Sequence, residues 1–394
     1  MLDVMSEPGG TPFTGTLLGD ELLARIHDRA VRYDRDNAFF TEDLDELKDA
    51  GYLRALVPAE LGGLGLTLRQ LAHEQLRLAS AAPATALAVN MHLVWTGVAK
   101  TLMDRGDDSL EFVLTEAAAG EVFAFAISEA GNDLVLFGST TDARPRPDGG
   151  YEFTGTKIFT SLSPAWTRLG LFGLDTRSDD APKLVHAFLD RSASGITALD
   201  DWDTIGMRAS QSNSTRLDAA RVAADRVIRR LDPGPNADPL IFAIFANFEI
   251  LLSAVYTGIG QRALELAVAS ARGRSSARTG TTKDQDPDTR WKIADAAIAQ
   301  DAILPQLDAL ATDVDELADR GDQWFRALVG LKLRATENAR FVVDQAIRVA
   351  GGAAYSSSSE LGRLYRDVLA GGFHPSNEDS AHSTVAMALL GPIG

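Results

Sequence analysis

The sequence predicts a mainly α-helical protein with a central β domain. Three observations lead there. Apolar residues recur at helical spacing through the first 125 residues, the middle stretch changes to short apolar runs and alternation, and a long apolar helix opens the last third. The textures divide the chain into an N-terminal helical domain over residues 1–125, a middle β domain over 126–235 and a C-terminal helical bundle over 236–394. A chain of 394 residues exceeds one ordinary core, so two or three packed units are expected.

In the N-terminal block, Leu22, Leu23, Ile26 and Ala30 fall on one helical face, as do Leu68, Leu71, Ala72 and Leu76. Between them VPAELGGLGL, residues 57–66, carries Pro58 and three glycines and reads as a turn-rich connection. The opening segment MLDVMSEPGGTPFTG lacks a basic region and an apolar core, so a signal peptide is not expected.

In the middle block, Asp148-Gly149-Gly150 is a turn signal followed by the alternating Tyr151-Glu152-Phe153-Thr154. LGLFGL at 169–174 and LVHAFL at 184–189 have strand length. LDPGPNADP, residues 231–239, is a linker, and Asp238 before Pro239 forms an N-cap and first-turn pair. The helix that follows, Leu240 to Gly260, is apolar enough to span a bilayer. Asn247 and Glu249 lie at its middle, where a charge is costly in lipid, and the centre of a helical bundle needs the same all-round apolarity. No membrane span is expected. Residues 273–289 are the polar break in an otherwise helical pattern that runs to about residue 350.

The net charge of −17 argues against nucleic-acid binding, which needs a basic face. The absence of cysteine excludes disulfides, thiolate nucleophiles and cysteine-ligated metals, and agrees with a cytoplasmic location. The six histidines show no metal-ligand spacing, so no metal is expected.

Four ordered motifs resemble the acyl-CoA dehydrogenase family. They are VPAELGGLGL; AISEAGND (126–133) with DGGYEFTGTKIFTS (148–161); IGMRASQSN (205–213); and QAIRVAGGAAY with LGRLYRD (345–367). The second is similar to T-E-x-x-x-G-S-D followed by G-x-Y-x-L-N-G-x-K-x-W-I-T, and the fourth to Q-x-x-G-G-x-G-Y with R-x-x-R-D. The resemblance implies a barrel-like middle domain, a four-helix C-terminal bundle, and FAD held between β domain, bundle and a neighbouring subunit of a homotetramer or dimer.

It also implies roles for particular residues. Ser128 and Ser161 match positions that contact the isoalloxazine, and Phe159 stands where the family usually has a stacking Trp. Reduction puts negative charge on the flavin, so donors are needed there. Arg274 matches the pyrophosphate arginine and Ser276 a family Thr, although Ala277-Arg278 replaces Phe-Gly. Gly351 and Gly352 match the paired glycines beside the cofactor, and Arg348 stands where the family often has Gln.

Dehydrogenation needs a carboxylate to take the α-proton while the flavin takes hydride. The usual glutamate position is Pro375 here; Glu378 and Asp379 follow three and four residues on. Some members supply the base from the first long bundle helix, at a position matching Phe248, next to Glu249. A buried Glu249 would have a raised pKa suited to a base; the bland alternative is a structural glutamate paired with Arg340 or Arg348. His374 matches a histidine carried by the flavin-dependent monooxygenase branch, where it works as an acid–base group, whereas His92 reads as a core histidine. Arg144, Arg146, Arg168 and Arg208 are candidate cations for a CoA phosphate.

The first functional reading is therefore FAD-dependent α,β-dehydrogenation of an acyl-CoA or acyl-carrier thioester, with Glu249 and His374 as catalytic candidates and an electron-acceptor flavoprotein or oxygen as partner. The alternatives are a monooxygenase using reduced flavin and oxygen, and a flavin-binding subunit without catalysis.

Overall fold

The computed structural model describes residues 15–132, 134–177, 181–277 and 279–391. Asp133 and Arg278, quoted above, and the segment 1–14 lie outside the described residues. Helices α1 (Asp20–Asp36), α2 (Thr41–Asp49), α3 (Leu68–Ala81), α4 (Pro83–Met103) and α5 (Glu111–Ala118) form the first layer. Thr67 starts α3 with a capping box: its hydroxyl accepts from Gln70 N while the Gln70 side chain accepts from Thr67 N. α4 is buried on nearly every side, as its uniform apolarity requires. The 57–66 connection turns at Gly62 and Gly65, both at positive φ, and a Cβ on Gly63 would sit 2.0 Å from the Val57 carbonyl oxygen.

Eight strands follow: β1 (Phe123–Ala126), β2 (Asp142–Pro145), β3 (Tyr151–Lys157), β4 (Arg168–Asp175), β5 (Lys183–Asp190), β6 (Ile196–Ala198), β7 (Thr215–Val222) and β8 (Val227–Leu231). They form one sheet in the order β6-β7-β3-β2-β4-β5-β8, with β1 pairing parallel to β4. β1 begins inside the stretch that the sequence assigns to helices. Its four residues, FAFA, are all buried, and strand and helix segments look alike in so short an apolar run. Trp95 seats α4 on this sheet. Its Nε1 donates to Ala124 O at 3.0 Å, and Gly170 leaves room for the indole, since a Cβ there would come within 2.4 Å of it.

The last block comprises α6 (Pro239–Gly273), α7 (Pro287–Asp301), α8 (Leu304–Asp315), α9 (Gln323–Ala350), α10 (Glu360–Val368) and α11 (Glu378–Leu390). Asp238 caps α6 by accepting from Leu240 N at 2.8 Å. α6 is long and apolar enough to cross a membrane, but 89% of its most apolar window is buried inside the protein. Asn247 donates there to Thr101 Oγ1 and Ala243 O, both at 2.9 Å, while its Oδ1 is buried without a partner. α3 meets α6 closely enough that a Cβ on Gly258 would lie 2.3 Å from Leu76 O.

Candidate active site

The sequence-selected residues fall into three groups. The first lies on the β domain. Ile158 N donates to Ser128 O at 2.9 Å, which joins the 126–132 loop to the end of β3. Phe159 follows at φ 57, in the left-handed region that disfavours a bulky aromatic, and is 50% exposed, edge-on to Trp202 with ring centroids 6.1 Å apart. Ser161 is buried. Its Oγ lies 2.8 Å from Ser212 Oγ, which lies 2.7 Å from Ser210 Oγ, so a chain of three hydroxyls runs inward from the loop. Thr160 N and Leu162 N donate to Asn213 O and Ser210 O, both at 3.3 Å, stitching this loop to the IGMRASQSN segment.

A buried ion pair beneath holds the first group in place. Lys157 Nζ and Glu129 Oε1 are 2.6 Å apart and neither side chain reaches solvent. Burial alone would raise the Glu129 pKa, but the Lys157 ammonium and the surrounding hydroxyls hold it well below the usual carboxylate range. Burial lowers the Lys157 ammonium to about 8. Glu129 also accepts from Asn132, Ser139, Thr140 and Thr141, so the loop carrying Ser128 closes around it.

The second group gathers where α6 and α9 end. Arg274 donates to Ala350 O, placing its guanidinium beside Gly351 and Gly352. Gly351 has φ 65, and a Cβ on either glycine would meet nothing within 4 Å, so backbone here borders open space. Ser276 N donates to Thr281 O at 2.9 Å inside the connecting loop. Arg348 is exposed and pairs with Asp344 one turn earlier at 2.7 Å.

The third group surrounds Glu249 and His374. Glu249 is 1% exposed. Its Oε1 accepts from Ser376 Oγ, whereas Oε2 is buried without a hydrogen-bond partner. The expected arginine partners do not hold it: Arg348 belongs to Asp344, and the cation beside Glu249 is Lys332. Burial raises the Glu249 carboxyl strongly and lowers the Lys332 ammonium. Phe248 packs on Phe125 of β1, centroids 5.7 Å apart; Glu249 lies about 100° further round the helix, toward α9. His374 Nε2 lies 2.8 Å from the Tyr256 hydroxyl, and burial lowers the imidazole pKa. Glu378 and Asp379 are exposed in the first turn of α11, outside this group.

His92 is a core histidine. Its Nε2–H donates to Leu53 O at 2.6 Å, its Nδ1 accepts from Phe123 N at 3.1 Å, and burial lowers its pKa to about 4. Of the candidate phosphate cations, Arg168 is held by Glu116, Glu121 and Asp190, Arg146 by Asp148 and Glu152, and Arg208 by Asp203. Among the described residues no cluster of three or more His, Cys, Asp or Glu could hold a metal.

The family description "Acyl-CoA dehydrogenase, N-terminal domain" matches residues 20–111, and "Acyl-CoA dehydrogenase, C-terminal domain" matches residues 250–378. L-evernosamine nitrososynthase of a Micromonospora strain is 31% identical, over 93% of this chain and 86% of that protein. The chain belongs to the acyl-CoA dehydrogenase flavoprotein family. Within the family it also resembles dibenzothiophene monooxygenase of Rhodococcus erythropolis, at 28% identity over 88% of this chain and 86% of that one. The solved structure of KijD3 in complex with FMN and dTDP-3-amino-2,3,6-trideoxy-4-keto-3-methyl-D-glucose superposes with TM-score 0.81 at 29% identity, over 95% of this chain and 93% of that one. This family member is thus a flavin-dependent oxidoreductase.

The first two groups fit a flavin. Phe159 offers an exposed aromatic face in the loop that carries Ser161 and is tied to the Ser128 carbonyl, and the open space at Gly351-Gly352 lets backbone and Arg274 approach a phosphate. Sequence reasoning missed Lys332, Tyr256 and Ser376. Lys332 had a signal: it interrupts the apolar stripe Leu328, Leu331, Ala335, Ala339 of α9.

Proposed function

We propose that this protein is a flavin-dependent monooxygenase that oxygenates the nitrogen of an amine-bearing small molecule, with reduced flavin and dioxygen as co-substrates. The observation that carries the reading is the loop His374-Pro375-Ser376. Where acyl-CoA dehydrogenases carry their base, this chain has a proline, flanked by an imidazole paired to a phenol. The nitrososynthase relatives support an amino substrate, and KijD3 was solved with an amino-sugar nucleotide.

Bound and reduced, the flavin supplies the two electrons that place one oxygen atom of dioxygen on the substrate and release the other as water. The chain's own residues hold and orient. Phe159, Ser128 and Ser161 bind and orient the ring. His374, held neutral by burial and fixed through its Nε2 by Tyr256 Oη, orients the substrate amine, which enters as the free base because only that form has a lone pair to attack oxygen.

One observation favours a second reading. Glu249 reaches Ser376, the residue after Pro375, and keeps one oxygen unpaired, so a carboxyl does approach the usual base position and would serve thioester dehydrogenation. One assay pair separates the two. With an external reductase supplying reduced flavin, amino-sugar nucleotides should drive oxygen uptake and yield hydroxylamine or nitroso products. His374→Asn should slow product formation about 10²-fold, the cost of misplacing the amine, with flavin binding unchanged. Anaerobic bleaching of the flavin by acyl-CoA thioesters, abolished in Glu249→Gln, would replace this reading with the second.

A further inference from the structure

The segment 369–377 presents a problem that its own backbone cannot solve. It is short, turns tightly, and carries carbonyls into the protein. Gly371 is pressed so closely on α6 and α9 that a Cβ would lie 2.9 Å from the Tyr256 ring and 3.0 Å from Thr336. Ser376 sits at φ 56, a left-handed conformation that a serine holds only when its surroundings fix it. Buried carbonyls left without donors would be costly.

One side chain meets that need. Lys332 is 1% exposed, and its ammonium donates to Gly371 O at 3.0 Å, His374 O at 3.4 Å and Ser376 O at 3.0 Å. An ammonium has three protons and no acceptor, so three converging carbonyls use its whole capacity. Ser376 is also gripped from the other side, its hydroxyl donating to Glu249. A cation on α9 and a carboxyl on α6 therefore bracket one residue, two positions after His374. The charged or titratable groups around this bracket are Glu249 and Tyr256 on α6, Lys332 and Glu337 on α9, Asp367 on α10, and His374 itself.

We infer that Lys332 is a positioning residue for the active-site loop: by gathering the carbonyls of Gly371, His374 and Ser376 it fixes the backbone from which His374 reaches Tyr256. Its link to activity rests on the monooxygenase reading; its effect on the loop does not. A lysine buried only to fill space would be replaced by methionine without loss, and a buried charge is often dispensable for stability. The carbonyl contacts give Lys332 a task that methionine cannot perform.

The test compares Glu249→Gln with the double variant Glu249→Gln/Lys332→Met, so that no buried carboxyl is left beside a missing cation. Backbone amide exchange across 371–378 should quicken about ten- to a hundredfold in the double variant, the loss expected for hydrogen bonds to a charged donor. Amides in the middle of α6 and α9 should keep their rates. The ring-nitrogen NMR signals of His374 should lose the signature of the Tyr256 hydrogen bond, and the turnover rate should fall with KM unchanged. Lys332→Arg, which retains donors, should restore part of both spectroscopic readouts. Loop exchange and His374 signals equal to those of Glu249→Gln alone would overturn the inference. A double variant that loosens all of α9 equally would overturn it too, by making Lys332 a general packing residue. Loop release without any effect on amine oxygenation would leave Lys332 as the loop's anchor and refute instead the role given to His374.

Discussion

Glu129→Gln should be among the most damaging single changes to the β domain, and its cost follows from the hydrogen bonds counted around that carboxylate. Oε1 accepts from Lys157 Nζ, Ser139 Oγ, Thr141 N and Thr141 Oγ1; Oε2 accepts from Asn132 Nδ2, Thr140 N and Thr140 Oγ1. An amide keeps one acceptor oxygen and turns an NH2 toward donors on the other side. If the oxygen stays toward Lys157, Asn132 Nδ2 and Thr140 N lose their acceptor, and the ammonium loses its counter-charge. Removing one partner of a buried pair costs about 3–5 kcal/mol. Lys157→Met should cost less, about 1–3 kcal/mol, because the carboxylate keeps its other donors. The double variant should then be less destabilised than the sum of the singles, by about 2 kcal/mol. The assay is chemical unfolding followed by near-ultraviolet circular dichroism, with flavin affinity measured alongside. Glu129 closes the loop that positions Ser128, so Glu129→Gln should weaken flavin binding as well. A Glu129→Gln protein within 1 kcal/mol of wild type, or strictly additive singles, would refute the reasoning.

Two further outcomes follow from the same geometry. Arg274→Ala should weaken FAD about ten- to a hundredfold, the worth of a charge-assisted phosphate contact, while leaving FMN, which has no pyrophosphate, nearly unaffected; equilibrium titration with each flavin decides. His92 is held neutral with its folded pKa lowered to about 4, so its stability contribution is full above about pH 6.5 and lost as pH falls through 4. His92→Gln should be less stable than wild type at pH 7 and lose up to roughly 3 kcal/mol less between those pH values; parallel pH–stability curves would contradict the assignment.

The fold was legible where pattern is local. The all-round apolarity of α6, the Asp238-Pro239 start and the strands at 151, 169 and 184 all stand where the residues indicate. β1 was not, because FAFA is too short for periodicity to separate strand from helix. Ser128 and Ser161 were singled out only through the family motifs, since a loop serine has no distinguishing pattern of its own. Glu249 was legible as an isolated charge in an apolar helix, but its partners were not. Ser376 lies 127 residues away in sequence, and nothing local to either residue announces the contact. Tyr256, two turns beyond Glu249 on the same face of α6, looks in sequence like one more core aromatic.

The backbone itself marks the site independently of any motif. Among the described residues, eight other than glycine have positive φ, and five of them are Phe159, Leu162, Met207, Gln211 and Ser376. The first four lie in the two β-domain loops stitched together around Ser161, and the fifth is the residue bracketed by Glu249 and Lys332. Each such conformation costs on the order of 1–3 kcal/mol and persists only where the surroundings over-determine it. Here the surroundings are buried polar devices: the serine hydroxyl chain and the Glu129–Lys157 pair under the first loops, and the Lys332–Glu249 bracket on the other. Apolar packing alone cannot do this, because it is non-directional and tolerates small shifts, whereas directional hydrogen bonds fix one geometry. The two rigid loops therefore come from separate layers of the fold, a β domain and a helical bundle. In the proposed reading, changes in the α6–α9 bracket would alter the chemistry while the β-domain face that would hold the ring stays as it is.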